Sequence, residues 1–163
     1  MKKSNVALVI ASLLLSASAP PNINSDQQIN DVLERFRVAI IAKDRAALLA
    51  LAINPQINLY AAIDAESLAR ARLKRPQAKG SQVSIYAGFV DDIASAKANS
   101  EERFSRVRIS TDGTVGQLYC DYQFLADGKV TNWGHESWLL IRTDAGWRIA
   151  AIAYSITLPR TAG

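Results

Sequence analysis

The side chains best suited to chemistry gather in the last third of the chain at alternating positions: Cys120 and Tyr122, then Trp133, His135 and Ser137, then Tyr154. His135 is the only histidine and Cys120 the only cysteine among 163 residues. Imidazole titrates closest to neutrality of the ordinary side chains, so His135 is the candidate acid–base group. Tyr154 or Tyr122 would then polarise a substrate carbonyl. One cysteine forms no internal disulfide, and Cys120, between Tyr119 and Asp121 in an alternating run, reads as a buried thiol. No metal or cofactor is expected.

These residues act together only if strands bring them to one face. The segments 104–110, 115–126, 129–142 and 147–157 are rich in β-branched and aromatic residues. Asp112-Gly113, Asp127-Gly128 and Asp144-Ala145-Gly146 separate them, and Asp-Gly between such runs signals a tight hairpin. A four-stranded antiparallel meander follows. Pairing Ala126 with Lys129 sets Cys120 opposite His135, Tyr122 opposite Trp133 and Leu118 opposite Ser137. Pairing Thr143 with Gly146 sets His135 opposite Tyr154 and Ser137 opposite Ile152. One face then carries Cys120, Tyr122, Trp133, His135, Ser137 and Tyr154 among apolar residues and should cover the helices. The other carries Asp121, Glu136, Trp138, Leu140, Trp147 and Ile149. The sparse polar groups of the first face either line a small-molecule cavity or satisfy one another in a core. Tyr60, on an earlier strand, joins the candidate pocket residues. No carboxylate shares the face of His135, as a general base would want. A one-residue slip would bring Asp121 or Glu136 to the pocket side and remove His135.

The elements that position this sheet lie earlier. Ile29, Leu33, Phe36 and Ile40 recur at helical spacing after a cap at Ser25 or Asp26. Residues 46–52 read as a second short helix, broken by Asn54-Pro55, and 57–63 as a strand. Residues 66–75 read as a helix, and Val83, Ile85, Ala87 and Phe89 as an alternating strand. The segment 91–102 reads as either a short helix or a loop. Helices first and the long sheet last argue an α+β fold.

The N-terminus has the parts of a cleavable secretory signal: Lys2-Lys3, an apolar run from Val6 to Leu15, and the small residues Ser16 to Ala19. The run is too short for a spanning helix, so no stable membrane anchor is expected after cleavage. Pro20 disfavours cleavage directly before it, which leaves cleavage before Ala19 as the alternative. The expected organisation is a signal over 1–19, a polar lead over 20–25, one domain over 26–158 and a tail over 159–163. About 140 mature residues suffice for one such domain. Loss of Lys2 and Lys3 takes two units from the formal charge of +4, so the basic balance does not argue for nucleic acid. Arg70, Arg72, Lys74 and Arg75 read as a solvated helix face.

Phe36 followed by Lys43-Asp44, the run Gly134-His135-Glu136-Ser137-Trp138-Leu139-Leu140-Ile141-Arg142, and Asp144-Ala145-Gly146-Trp147-Arg148-Ile149 with Tyr154-Ser155 carry a resemblance. Over roughly 28–157 the chain resembles the nuclear-transport-factor-2-like superfamily, in its SnoaL-like, polyketide-cyclase and steroid-isomerase-like branch. The resemblance implies a cone-like curved antiparallel sheet with N-terminal helices packed on its concave face. It also implies a range of roles: dehydratases, isomerases, epoxide hydrolases, cyclases, association domains and simple binders. The steroid-isomerase-like members place an acid on the first strand, where this chain has Ile57 to Ala61 and no carboxylate before Asp64. Histidines of many relatives fall at Ala151 and Ala153, and the Asp of the dehydratases' Asp–His pair is not evident beside His135.

Three readings follow. The first is an exported, periplasmic or secreted, binding protein whose mostly apolar cavity takes a small apolar or amphipathic molecule or a partner. The second is a cofactor-free lyase or isomerase using His135. The third is a homodimeric or envelope-assembly module pairing through an outer face of Trp138, Leu140, Trp147 and Ile149. Beyond an inner membrane there is no ready ATP or NADH, which favours binding or cofactor-free chemistry.

Overall fold

The computed structural model describes residues 24–160. The predicted signal, its cleavage point and most of the polar lead lie outside the described residues. The elements run α1 (Ser25–Ala42), α2 (Arg45–Leu51), β1 (Asn58–Ile63), α3 (Ala65–Lys74), β2 (Ser81–Ile85), α4 (Tyr86–Ser95), β3 (Ser100–Thr111), β4 (Val115–Ala126), β5 (Lys129–Thr143) and β6 (Gly146–Ile156). Helix α1 buries the stripe Ile29, Val32, Leu33, Phe36, Ala39 and Ile40, the helical spacing read from the sequence. Its N-cap is Asn24, whose side chain accepts the Asp26 N–H at 3.1 Å. The chain leaves α1 through Lys43 in the left-handed region (φ 52°), and Asp44 caps α2 by accepting the Ala47 N–H at 2.9 Å.

The alternation through Val83, Ile85, Ala87 and Phe89 is a strand only as far as Ile85. Tyr86, Val90 and Ile93 bury one face at helical spacing, and burial of that face outweighs local strand preference. The Tyr86 hydroxyl fixes the turn of chain by donating to Leu48 O at 2.8 Å. The undecided segment 91–102 divides between the end of α4 and the start of β3.

The sheet order is β2-β1-β6-β5-β4-β3. The meander β3 to β6 is antiparallel, as the turn residues indicated. Strand β1 joins its free edge parallel to β6, so the sheet is mixed rather than wholly antiparallel. Both hairpin registers hold at their turns, Ala126 with Lys129 and Thr143 with Gly146. Each then slips by one residue at a bulge, at Thr131 in β5 and at Ala150 in β6. A third irregularity lies between Ser105 and Arg108, where Arg106 takes φ 51°. Bulges bend a strand and increase its twist, and here they curl the sheet into an unclosed cone around the helices.

The slips reassign the faces of β5 and β6. Leu118 lies opposite Trp138, Cys120 opposite Glu136 and Tyr122 opposite Gly134. Glu136, Trp138 and Leu140 therefore point inward, and Trp133, His135, Ser137 and Leu139 point outward. Trp138, Leu140, Trp147 and Ile149, expected on an outer pairing face, are core residues between 0% and 2% exposed. The Phe36 ring meets Trp138 edge-on, with centroids 4.9 Å apart.

Candidate functional site

A cavity of about 340 Å³ opens between the concave face of the sheet and helices α1 and α4. That volume lies within the span of small-molecule sites, roughly 300–1,000 Å³. Phe36, Leu59, Phe89, Phe124, Ile152, Ile156 and Leu158 form its apolar wall. Five polar side chains complete it: Glu102, Tyr122, Asn132, Glu136 and Tyr154.

The two acids come from strands on either side of β4. Glu102 lies opposite Phe124 and Glu136 opposite Cys120, so the Tyr122 side chain stands between their positions on the same face. Both are buried, at 4% and 6% exposure. Glu136 Oε2 accepts the Trp138 indole N–H at 2.6 Å, a bond its position two residues before Trp138 on one strand face makes direct. Burial, opposed by this hydrogen bond, pushes the Glu136 carboxyl up to about 7. Burial first and the neighbouring Glu136 second push Glu102 well above the ordinary carboxylate range. No hydrogen bond from a described residue holds the Glu102 carboxyl. Burial thus favours the protonated form of both acids that line the cavity.

The Tyr122 hydroxyl lies 2.8 Å from Asn132 Oδ1 and 2.9 Å from Ser155 O and donates its proton to one of them. Ser155 can come this near because Gly134 faces it; a Cβ at Gly134 would stand 2.2 Å from Ser155 O. The Tyr154 ring packs edge-on to Tyr122 at 6.2 Å. Burial, then Glu136 and Glu102, raise the pKa of both phenols, keeping them protonated donors.

Of the residues expected in the pocket, Tyr122 and Tyr154 line this cavity. Cys120 faces inward but is fully buried and does not reach the cavity, and burial pushes its thiol up. Trp133, His135 and Ser137 lie on the outer face, because the bulge at Thr131 shifts β5 by one residue, and Tyr60 points outward from β1 between the buried Leu59 and Ala61. Tyr60 and Trp133 are 44% and 37% exposed. His135 does have an orienting carboxylate: its Nδ1 is 2.8 Å from Asp121 Oδ1, and its ring stacks on Tyr119. Arg106 pairs with the same carboxylate. This cluster is partly solvated on the convex face and does not line the cone cavity. The one-residue slip weighed from the sequence is the arrangement found, bringing in Glu136 and removing His135. Glu102 had no such warning except the alternation Ser100, Glu102, Phe104 at the start of β3. Among the described residues no group of three His, Cys, Asp or Glu side chains could hold a metal ion, and no helix is long and apolar enough to cross a membrane.

No family model matches the chain, and no curated protein matches it. Solved structures do. A structure named as a putative scytalone dehydratase from Novosphingobium aromaticivorans superposes with a TM-score of 0.62 at 11% identity, covering 85% of this chain and 87% of that one. A nuclear-transport-factor-2-like protein with a cystatin-like fold from the same organism gives 0.59 at 12% identity, covering 84% of both chains. A putative dehydratase of the nuclear-transport-factor-2-like family from Streptomyces avermitilis gives 0.59 at 14% identity, covering 83% of this chain and 97% of that one. At such identities the likeness is one of architecture: this chain has the nuclear-transport-factor-2-like fold.

Proposed function

We propose that the chain binds a small, mostly apolar molecule in the cone cavity, with Glu102 and Glu136 as the groups that meet its polar end. The observation that carries the reading is the placing of two buried acids in an otherwise apolar and aromatic cavity of ligand size. Acids are rarely buried without a partner, because desolvating a carboxylate costs several kcal/mol or shifts its pKa. Titration with naphthol, followed by NMR, is expected to move the Trp138 indole N–H and the Ile152 methyl signals and leave the Trp133 indole in place. Filling the cavity with Ile152→Phe should abolish the shifts. Shifts confined to Trp133, or none, would overturn the reading.

A second reading has a specific observation behind it. A carboxyl held near 7 beside protonated phenols is suited to cofactor-free proton transfer, as in an elimination or an isomerisation. Two of the similar structures carry dehydratase names, which supports the same chemistry. The acid–base role passes from His135 to the Glu102–Glu136 pair. Carbon NMR of the labelled Glu side chains is expected to show a carboxyl titrating near 7; ordinary values for both would remove this reading. The proposal keeps export to the periplasm or beyond, supported by Lys2-Lys3, the apolar run and the small residues before Pro20. Fractionating cells that express the chain with and without residues 1–19 tests it: retention of both forms in the cytoplasm would refute it.

A further inference from the structure

Resting on the cavity reading, we infer that the ligand is a cation, a protonated amine with an aryl or alkyl body, its ammonium group set against Glu102 and Glu136. The carboxyl groups lining the cavity face no base. Glu102 and Glu136 are the only carboxylic acids among its described lining residues, and no Lys, Arg or His side chain is among them. The remaining polar groups are the neutral Tyr122, Asn132 and Tyr154. The cations nearest in sequence to Glu102 are engaged elsewhere, Arg103 with Glu101 on the outer side of β3 and Arg106 with Asp121 on the convex face, and Arg142, the nearest to Glu136, donates to Gln28.

Glu102 is the second observation. It is 4% exposed, lines the cavity, and has no hydrogen-bond donor among the described residues. Its carboxyl is therefore free to meet a ligand or water in the cavity. The walls add to the case. Phe36 stacks on Phe89 at 6.0 Å, and Phe124, Tyr122 and Tyr154 complete an aromatic lining whose ring faces attract a positive charge. An anionic ligand would meet two acids and no base. A neutral ketone or alcohol would occupy one of the acids and leave the other buried without compensation. An ammonium group carries three donors and a full charge, enough to serve both carboxylates together.

Three probes of one shape separate the possibilities: phenethylamine, phenethyl alcohol and phenylacetate, titrated at neutral pH into the full mature domain. The site is read from the Trp138 indole and the affinity by calorimetry. The amine is expected to bind at least tenfold more tightly than the alcohol, and phenylacetate not detectably. Glu102→Gln should erase that preference, and Glu136→Gln provides the same test if the first variant does not fold. Alcohol binding at Trp138 as tight as the amine, or amine binding that moves only Trp133, overturns the inference while leaving the cavity a ligand site in the first case. Absence of binding by all three probes and by naphthol would remove the cavity reading and this inference with it.

Discussion

Asp121 and Glu136 sit on paired strands, Asp121 opposite His135 and Glu136 opposite Cys120, yet they meet opposite worlds. Asp121 points out of the cone. Burial tends to raise its pKa, but hydrogen bonds from Arg106 and His135 and their charges outweigh it and hold the carboxyl below its ordinary value. Glu136 points in, where its neighbours are the Trp138 indole and a second acid, and it rises to about 7. Two carboxylates of similar intrinsic strength thus become a permanent anion and a group that titrates at neutrality. The face of the sheet decides which.

The largest effect that sharpens this contrast comes from the aromatic residues of β5. Trp138 is fully buried, packs edge-on to Phe36 and Phe104, and among the described residues supplies the only hydrogen bond to the Glu136 carboxyl. Trp138→Ala is expected to cost about 4 kcal/mol, the usual range for a buried Trp, plus the loss of that donor. Trp133→Ala on the outer side of the same strand should cost about 1 kcal/mol or less. Urea denaturation of both variants checks the difference. Equal losses would mean that the faces of β5 are assigned wrongly.

The next effect is a pH dependence. Folding raises the Glu136 carboxyl from 4.5 to about 7, so between those values the folded chain holds a proton that the unfolded chain has released. Stability must therefore fall as pH rises through this window, by a few kcal/mol, and the raised Glu102 adds a decline of the same sign. Glu136→Gln removes its share, since the amide carries no charge to desolvate. Thermal melts of the two proteins should converge at acid pH and separate above neutrality, with the variant the more stable. A wild-type midpoint that climbs from pH 5 to pH 8 would contradict the inward placing of Glu136.

How far the sequence reveals these faces depends on whether the deciding forces are local. The stripe of α1 and the hairpin at Asp127-Gly128 are written in neighbouring residues, and both were legible, although the cap of α1 is Asn24 rather than Ser25 or Asp26. The turns even fix the starting registers. The bulges at Thr131 and Ala150 answer to the curvature of the whole sheet, which no short stretch encodes. The bulge at Thr131 inverts every β5 side chain beyond it, so His135 and Glu136 exchange faces although the hairpin was read correctly, and the bulge at Ala150 returns Ile152 and Tyr154 to the inner face. The same loss of locality hides α4. Val83 and Ile85 alternate as a strand, and only packing of Tyr86, Val90 and Ile93 against α2 and the core turns the chain into a helix. Glu102 stayed hidden because Ser100-Glu101-Glu102-Arg103 has the composition of a solvated segment. Its burial depends on α1 closing over β3.

The smallest effect, and the one that completes the comparison, belongs to the outer cluster. Asp121 is held below its ordinary pKa, so its contribution is present above the unfolded carboxylate range and is lost as pH falls through its folded value. That slope has the opposite sign to the slope of Glu136. Asp121→Asn is expected to leave stability at neutral pH little changed, because Arg106 and His135 are half-exposed or more and water competes for both. What the variant should lose is the acid limb of the stability profile, and any difference from wild type should shrink as salt is added. Glu136→Gln, by contrast, should alter the neutral limb and be insensitive to salt, since its partner and its cost are both buried. If Asp121→Asn produced the larger and salt-resistant change, the convex cluster would be the dry, structural one and the cavity acids the solvated ones. The assignment of the two faces would then have to be reversed.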